Sequence, residues 1–361
     1  MNLFLENLTK RHPRLACALY AWKHGGDIDY VKRAMRQNPL VMQARSLGPL
    51  NKDKNIYYIE FGDPSDGFFA EYGKLLKYLY YADRFGLSPV VRFTEKFLYA
   101  EKDAVNGSIN PFEYYYEQPS GIGVGEALKS RNVIYAEYIH TQIRDLVARK
   151  KGDYGVSDKY ISVMARVDRK YIRLNKVVGS YIDKEINKIG VNQKTIGLHF
   201  RGTDYKRELE LHPVYAKEDV FIKKAMSLLD TGKYDRIFVA TDDAEALEKM
   251  KNKFGSSLCF YDDTFRSSGD VSVAFLENRR EHHHYKLGLE VLRDMETLSS
   301  CGALIAGVSQ VSLAARITNL SHGKPYRDLE IIDFGTVENK TNWRRAEKYY
   351  DSVMRKDSGG D

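Results

Sequence analysis

The stretch TIGLHFRGTD occupies residues 195–204. Its first six residues, Thr195 to Phe200, are largely apolar and of strand length, which predicts a buried β-strand. Arg201 and Asp204 follow directly, so a guanidinium and a carboxylate are expected at the carboxyl end of that strand. Ligands of open α/β sheets bind at the carboxyl ends of the strands. The stretch therefore predicts both a parallel sheet and a binding site at its edge.

Strands and helices alternate on the carboxyl-terminal side of this stretch. Predicted strands cover residues 195–200, 236–240, 258–261 and 303–306. Predicted helices cover residues 216–230, 243–254, 285–299 and 309–320. Because each strand is followed by a helix, the strands are expected to run parallel, with helices covering both faces of the sheet.

A further βαβ unit lies nearer the amino terminus. Residues 55–61 and 87–93 have strand composition, and residues 69–85 between them have a helical pattern that ends at Gly86. The strands of such a unit are parallel and their connection is right-handed. Further along, an apolar stripe over residues 158–188 predicts one long helix.

These elements predict an α/β protein of two Rossmann-like domains whose parallel sheets face a central cleft. A chain of 361 residues also favours two domains over one. The first predicted domain covers residues 1–190 and includes a helical N-terminal extension. The second covers residues 191–335, and residues 336–361 form a final helix and tail. Helical spacing in residues 1–50 predicts two short helices packed on the first domain, with peripheral contact at a membrane surface as the alternative.

The charge of the chain suggests an anionic partner. The formal net charge is +7, from 56 basic and 49 acidic residues. An excess of this kind suits nucleic acid, an anionic membrane or a phosphorylated small molecule. The sequence has no arginine-rich run, zinc-finger spacing or RNA-binding aromatic signature, so we expect no nucleic-acid partner. A phosphorylated substrate fits the remaining observations.

The cysteines and the hydropathy of the sequence indicate the cellular compartment of the protein. The three cysteines are scattered and odd in number, which argues against a disulfide framework and for a reducing compartment. The start of the chain has no signal-peptide pattern, and no segment has the length and apolarity of a transmembrane span. We therefore expect a cytoplasmic protein, with peripheral contact at the inner face of the membrane as the alternative.

Motifs of several common enzyme classes are missing from the sequence. It has no G-x-G-x-x-G after a strand, no P-loop and no G-x-S-x-G elbow, which disfavours a dehydrogenase, a P-loop enzyme and a serine hydrolase. The run His282-His283-His284 does not predict a metal site, because adjacent histidines on a helix cannot all face one ion. We expect neither a metal nor a cofactor.

Three polar clusters follow three of the predicted strands in the second half of the chain. They are Arg201 with Asp204, Asp242 with Asp243, and Ser309 with Gln310. Because the carboxyl ends of parallel strands meet at one edge, the clusters are expected to converge on one crevice. Arginine suits phosphate oxygens, carboxylates can accept hydrogen bonds from a guanine base or ribose, and a helix amino terminus attracts phosphate.

Each cluster also has a purely structural explanation. Arg201 and Asp204 can form an ion pair that steadies a loop. Asp242 or Asp243 can cap the helix that follows, and Ser309 can do the same at its own helix. For single clusters the two interpretations are about equal, and the convergence of all three favours a binding site.

The motifs resemble those of a known group, the α-1,6-fucosyltransferases and nodulation fucosyltransferases, which are related to the protein O-fucosyltransferases. His199, Arg201 and Asp204 match the group's motif His-x-Arg-Arg-x-Asp, and residues 240–243 match its Ala-Thr-Asp-Asp. The resemblance implies a GT-B fold and a GDP-sugar donor held by His199, Arg201, Asp204, Asp242, Asp243, Asp294, Ser309 and Gln310.

The resemblance also implies a mechanism. Glu208 precedes His212-Pro213 by four residues, as a glutamate does in the group, which makes Glu208 the candidate general base and Arg201 the contact to the donor's β-phosphate. The implied reaction is the metal-independent, inverting transfer of L-fucose from GDP-fucose to a hydroxyl of a glycan or glycolipid. Gly202 stands where the group has a second arginine, so another GDP-sugar remains an alternative. A catalytically inactive nucleotide-sugar- or glycan-binding protein is the other alternative.

Overall fold

The computed structural model describes residues 44–141, 143, 156–207, 209 and 212–337, together with residues 19, 22, 25 and 26. The two short helices predicted near the amino terminus therefore lie almost entirely outside the described residues. The same holds for most of the predicted tail, 336–361, and for Glu208. No helix within the described ranges combines the length and apolarity needed to cross a membrane.

The first sheet has three parallel strands in the order β2-β1-β3. The strands are β1 (Ile56–Phe61), β2 (Ser88–Phe93) and β3 (Val133–Tyr135). Helix α1 (Phe68–Phe85) connects β1 to β2, as predicted, and it ends at Gly86. Gly86 has φ 64°, a left-handed conformation that favours glycine, and its amide N–H bonds back to the last turn of the helix. A short helix, α2 (Val124–Ala127), precedes β3, and neither element was predicted.

The long helix predicted over residues 158–188 is wrong, because the structure has two helices there. They are α3 (Asp158–Tyr171) and α4 (Lys176–Ile189). Ile172 adopts an extended backbone and ends α3. Asn175 then begins α4, since its side chain accepts a hydrogen bond from the amide N–H of Val178 at 3.0 Å. A capping residue thus interrupts a continuous apolar stripe.

The second sheet has five parallel strands in the order β6-β5-β4-β7-β8. The strands are β4 (Thr195–Phe200), β5 (Arg236–Thr241), β6 (Leu258–Cys259), β7 (Ala303–Gly307) and β8 (Asp328–Ile332). The helices are α5 (Glu218–Leu229), α6 (Ala244–Phe254), α7 (His283–Ser300) and α8 (Gln310–Ser321). The predicted βα units of this half are confirmed with small shifts of their ends, whereas β8 was not predicted.

The strand order places a crevice beside β4. The chain builds the sheet outward from β4 through β5 to β6, and then returns to β4's other side with β7 and β8. Connections on the two sides of β4 leave in opposite directions, which opens a crevice at the carboxyl ends of β4 and β7. All six residues of β4 are buried, so the residues that follow it start from a fixed position.

The two sheets share one hydrophobic core. A continuous cluster of buried side chains includes Leu75 of α1, Met164 of α3, Leu298 of α7 and Ala315 of α8. The fold class predicted from the sequence, α/β with two Rossmann-like parallel sheets, is confirmed. The first strand of the second sheet, β4, begins just after the predicted domain boundary at residue 190. The hydrophobic core, however, continues across both halves, so this boundary stays a prediction.

Candidate functional site

A cavity of about 310 Å³ lies at the carboxyl edge of the second sheet. Residues 65–70, at the amino-terminal end of α1, form part of its wall on the side of the first sheet. Of the residues predicted from the sequence, the following line it: His199, Arg201, Asp204, Asp242, Asp294, Ser309 and Gln310. The structure therefore brings at least one residue of each of the three polar clusters to one cavity, and Asp243 is the member that does not line it.

Arg201 is held by two carboxylates at the edge of this cavity. Its Nη1 lies 2.7 Å from Oδ2 of Asp242 and its Nη2 lies 2.8 Å from Oδ1 of Asp204. Nη2 also donates to Oγ of Ser272 at 3.0 Å. Burial alone would lower the pKa of Arg201, but the two carboxylates outweigh it and raise the pKa. The ion pair expected as the structural alternative is thus present, and a quarter of the side chain remains exposed.

Asp242 fixes the loop that carries Arg201. Its carboxylate accepts hydrogen bonds from the amide N–H of Gly202 at 3.0 Å and from the hydroxyl of Thr203 at 2.6 Å. Burial acts to raise the pKa of Asp242, but the charge of Arg201 and these hydrogen bonds lower it below its ordinary value. Asp242 is therefore ionised at neutral pH, and it links the ends of β4 and β5.

Asp243 points away from the cavity. Its carboxylate caps α6 by accepting from the amide N–H groups of Glu245 at 3.0 Å and Ala246 at 3.1 Å. It also pairs with Nζ of Lys206 at 2.6 Å, and its side chain is 1% exposed. The helix-capping alternative is what the structure contains here. A contact between Asp243 and a nucleoside stays a prediction.

Gly202 has no room for a side chain. A Cβ atom built at this position would lie 2.3 Å from Oδ2 and 2.5 Å from Cβ of Asp243. Asp243 is itself fixed by its cap and its ion pair, so it cannot move aside without losing them. A larger residue at this position, such as the second arginine of the motif His-x-Arg-Arg-x-Asp, would therefore meet Asp243 in this structure.

We expect Gly202→Ala to lower the free energy of unfolding by about 1–3 kcal/mol, the usual cost of overpacking. Combining it with Asp243→Gly should cost less than the sum of the two single changes, because Asp243→Gly removes the three side-chain atoms nearest the added Cβ, including the Cβ of Asp243 itself. Gly125→Ala is the control, since a Cβ there meets open space in α2. Denaturant unfolding of the four variants measures this, and strict additivity would show that the two residues do not collide.

His199 is buried and uncharged. Burial lowers its pKa to about 4, so the imidazole is neutral at pH 7. Its Nδ1 lies 3.3 Å from Oγ of Ser309, a contact that joins the end of β4 to the start of α8. His199 can thus take part in hydrogen bonding at this edge but contributes no charge to phosphate binding.

The amino terminus of α8 opens onto the cavity. Ser309 caps the helix reciprocally with Ser312: its hydroxyl accepts from the Ser312 amide N–H at 3.0 Å, and the Ser312 hydroxyl accepts from the Ser309 amide N–H at 3.1 Å. Such an end carries partial positive charge and suits an anion. Gln310 lies between the two halves of the protein, because its amide oxygen faces Gly73 of α1.

Asp294 is a carboxylate of α7 that lines the cavity wall. Burial raises its pKa to about 7, although the neighbouring charge of Arg293 acts to lower it. Arg293 is itself engaged by Asp263, at 2.6 and 3.1 Å. A carboxyl with a perturbed pKa in a cavity is a candidate functional group.

The structure adds residues that the sequence did not indicate. Ser272 and Phe265 come from the long connection between β6 and α7, and Tyr99 follows β2 in the first half. Ser272 contacts Arg201 directly, and Phe265 donates its amide N–H to Glu290 of α7 at 3.1 Å. The connection has neither a periodic pattern nor a known motif, so no sequence signal marked it.

The histidine run has structural contacts. Nε2 of His283 lies 2.6 Å from the carbonyl oxygen of Leu276, and Nδ1 accepts from Nε of Arg280 at 2.9 Å. Within the part of the chain that the structure describes, no group of three or more His, Cys, Asp or Glu side chains could hold a metal ion.

Comparison with known proteins finds similarity in structure. No protein-family model and no curated protein matches the chain. NodZ α-1,6-fucosyltransferase soaked with GDP-fucose is 15% identical over 73% of this chain and 92% of its own, with a TM-score of 0.42. Fucosyltransferase NodZ from Bradyrhizobium is 15% identical over 78% and 96%, with a TM-score of 0.43. POFUT1 in complex with GDP-fucose is 11% identical over 78% and 99%, with a TM-score of 0.46. The chain thus resembles solved structures of NodZ and POFUT1.

Proposed function

We propose that this protein is an inverting, metal-independent glycosyltransferase that transfers L-fucose from GDP-fucose to a hydroxyl of a glycan or glycolipid. The observation that carries the proposal is the position of Arg201. This guanidinium lies in the crevice between β4 and β7, partly exposed, and lines the same cavity as the amino terminus of α8. Both features attract phosphate, and they meet where α/β sheets bind nucleotides.

The donor's diphosphate would use the hydrogens of Arg201 that have no partner in the part of the chain that the structure describes. A guanidinium has five N–H groups. Among the described residues, three of them are directed at Asp242, Asp204 and Ser272, which leaves Nε–H and one hydrogen of Nη1 without a described partner. Because the two carboxylates more than cancel the charge of Arg201, the helix end at Ser309 supplies the additional attraction that a diphosphate requires.

The nucleoside would lie against Asp242 and Asp294. Guanine presents a ring N–H beside an amino group, and a carboxylate can accept both hydrogen bonds. Asp294 offers such a carboxylate in the cavity wall, and the ring of Phe265 lines the same wall. Uracil lacks the exocyclic amino group, so this arrangement favours GDP-sugars over UDP-sugars.

In the proposed reaction the acceptor hydroxyl attacks the anomeric carbon of the donor sugar as the bond to the diphosphate breaks. Glu208 takes the proton of that hydroxyl, a contribution typically worth about 10²–10⁴-fold in rate. Arg201 and the amides at the start of α8 stabilise the charge that grows on the departing diphosphate. These groups take over the role that a metal ion has in other transferases.

A panel of nucleotides tests the donor assignment by thermal unfolding. A ligand at about one hundred times its Kd adds roughly 2.7 kcal/mol of stability. We expect GDP and GDP-fucose to raise Tm, with and without EDTA, and UDP-sugars to leave it unchanged. Stabilisation by UDP-sugars alone would overturn the donor assignment. Equal turnover of another GDP-sugar would replace fucose, and binding without turnover would favour the inactive binding protein.

A further inference from the structure

The chain returns to the cavity after its last strand. Beyond β8, the amide N–H of Gly335 donates to Oδ1 of Asp333 at 2.8 Å, and Gly335 has φ 86°, which favours glycine. This turn redirects the chain away from the sheet. Residues 335–337 then run antiparallel to residues 212–214, with Thr336 opposite Pro213.

Two backbone hydrogen bonds hold this pairing. The amide N–H of Val214 donates to the carbonyl oxygen of Gly335 at 2.8 Å, and the amide N–H of Val337 donates to the carbonyl oxygen of His212 at 2.9 Å. His212 lines the cavity. Its Nδ1 is buried and has no hydrogen-bond partner among the described residues. The pairing thus reaches a residue of the cavity wall itself.

The partner of this segment, residues 212–214, follows Arg201 and Asp204 along the chain. Arg201 and Asp204 pair with each other, and Tyr205, the next residue, donates its hydroxyl hydrogen to the carbonyl oxygen of Val308 at 3.2 Å. The ring of His212 meets that of Tyr205 edge-on, with centroids 5.8 Å apart. Glu208 lies between Tyr205 and His212 in sequence.

We propose that residues 335–337 form a clamp that holds residues 212–214, and with them His212 of the cavity wall, in position for transfer. The catalytic part of this inference rests on the proposed function, whereas the clamp itself rests on the two hydrogen bonds. Fixing the backbone of one residue costs about 1–2 kcal/mol of conformational entropy, and the two hydrogen bonds to residues 335–337 offset part of that cost at residues 212–214. A displacement of about 1 Å in a catalytic group can cost about 10²-fold in rate.

The test removes one hydrogen bond of the clamp by substitutions at Val337. Val337→Pro deletes the amide N–H that bonds to His212, and Val337→Ala keeps it. Loss of one such bond should open the pairing about 2- to 10-fold more often. Trypsin should therefore cut after Lys206 and Arg207 faster in Val337→Pro by that factor, as measured by mass spectrometry of the fragments.

The same pair of variants tests positioning. With water as the acceptor, Val337→Pro should hydrolyse GDP-fucose about 10-fold more slowly or worse, with the Kd for GDP changed less than about 2-fold. Val337→Ala should match the wild type in both assays. Equal cleavage of the two variants overturns the clamp, and faster cleavage with unchanged hydrolysis overturns its positioning role.

A second pair keeps the inference testable if Val337→Pro does not fold. Val214→Pro removes the other amide N–H of the clamp, and Val214→Ala retains it. The same cleavage and hydrolysis results are expected. A wild-type protein that binds GDP but never consumes GDP-fucose contradicts the proposed function, and the cleavage assay still decides whether the clamp exists.

Discussion

Replacement of Arg201 by alanine is expected to weaken the binding of GDP by about 30- to 3,000-fold. Removing one partner of a buried, hydrogen-bonded charge pair costs about 2–5 kcal/mol, and each 1.4 kcal/mol is a factor of ten. In the proposed complex the diphosphate uses the two N–H groups of Arg201 that have no partner among the described residues. Arg201→Lys should recover part of the loss, because it keeps the charge but not the forked geometry.

The stability of the variant has to be separated from its affinity. Without Arg201 the carboxylates of Asp204 and Asp242 face each other unpaired, which typically destabilises a protein by about 3–5 kcal/mol. The double variant Arg201→Ala with Asp242→Asn removes one of these charges. It should recover much of the stability without recovering GDP binding.

Calorimetric titration with GDP, well below each variant's Tm, measures this prediction. Arg207→Ala is the matched control, because Arg207 lies in the same loop, is half exposed and sits 3.8 Å from Asp270. An exposed pair of this kind contributes about 0–1 kcal/mol, so GDP affinity should hardly change. A folded Arg201→Ala protein with unaltered GDP affinity would remove the reason for placing the diphosphate here.

Replacement of Glu208 by alanine is expected to slow transfer by about 10²–10⁴-fold while GDP affinity stays within about twofold. The reason is that a general base acts on the acceptor hydroxyl and contributes to the reaction step instead of to donor binding. Glu208→Gln should be impaired to a similar extent, since the amide has similar size but cannot take a proton. Release of GDP from GDP-fucose provides the rate, and calorimetry provides the affinity.

Glu210→Ala is the control for this prediction. Glu210 is also acidic and is two residues away in the sequence, so a general loss of negative charge would affect both variants alike. We expect its rate to remain close to that of the wild type. A Glu208→Ala protein with full turnover would exclude Glu208 as the base.

The strands at the centre of the second sheet were predictable because they are almost completely buried. Along β4 all six residues are buried, and such strands appear in sequence as short apolar runs with a helix after each. By contrast, β8 is an edge strand whose Leu329 and Glu330 are exposed, so it leaves no such run. The break between α3 and α4 was hidden because the cap at Asn175 interrupts the backbone without interrupting the apolar stripe.

The site was predictable where chemistry follows a strand directly. Arg201 and Ser309 occupy such positions, and strand topology alone brings them to one cavity. Ser272 could not be predicted, because it reaches Arg201 from a connection 71 residues further along the chain. The close approach of Gly202 to Asp243 was hidden as well, since it exists only when β4 and β5 pair.

We propose that this cavity transfers fucose from GDP-fucose without a metal. Proton NMR of GDP-fucose incubated with the protein and EDTA tests it most directly, with water as the acceptor. We predict that GDP accumulates and that the first fucose released has the anomeric configuration opposite to that of the donor. GDP-fucose that persists unchanged beside folded protein, or fucose released with the donor's configuration, would contradict the account.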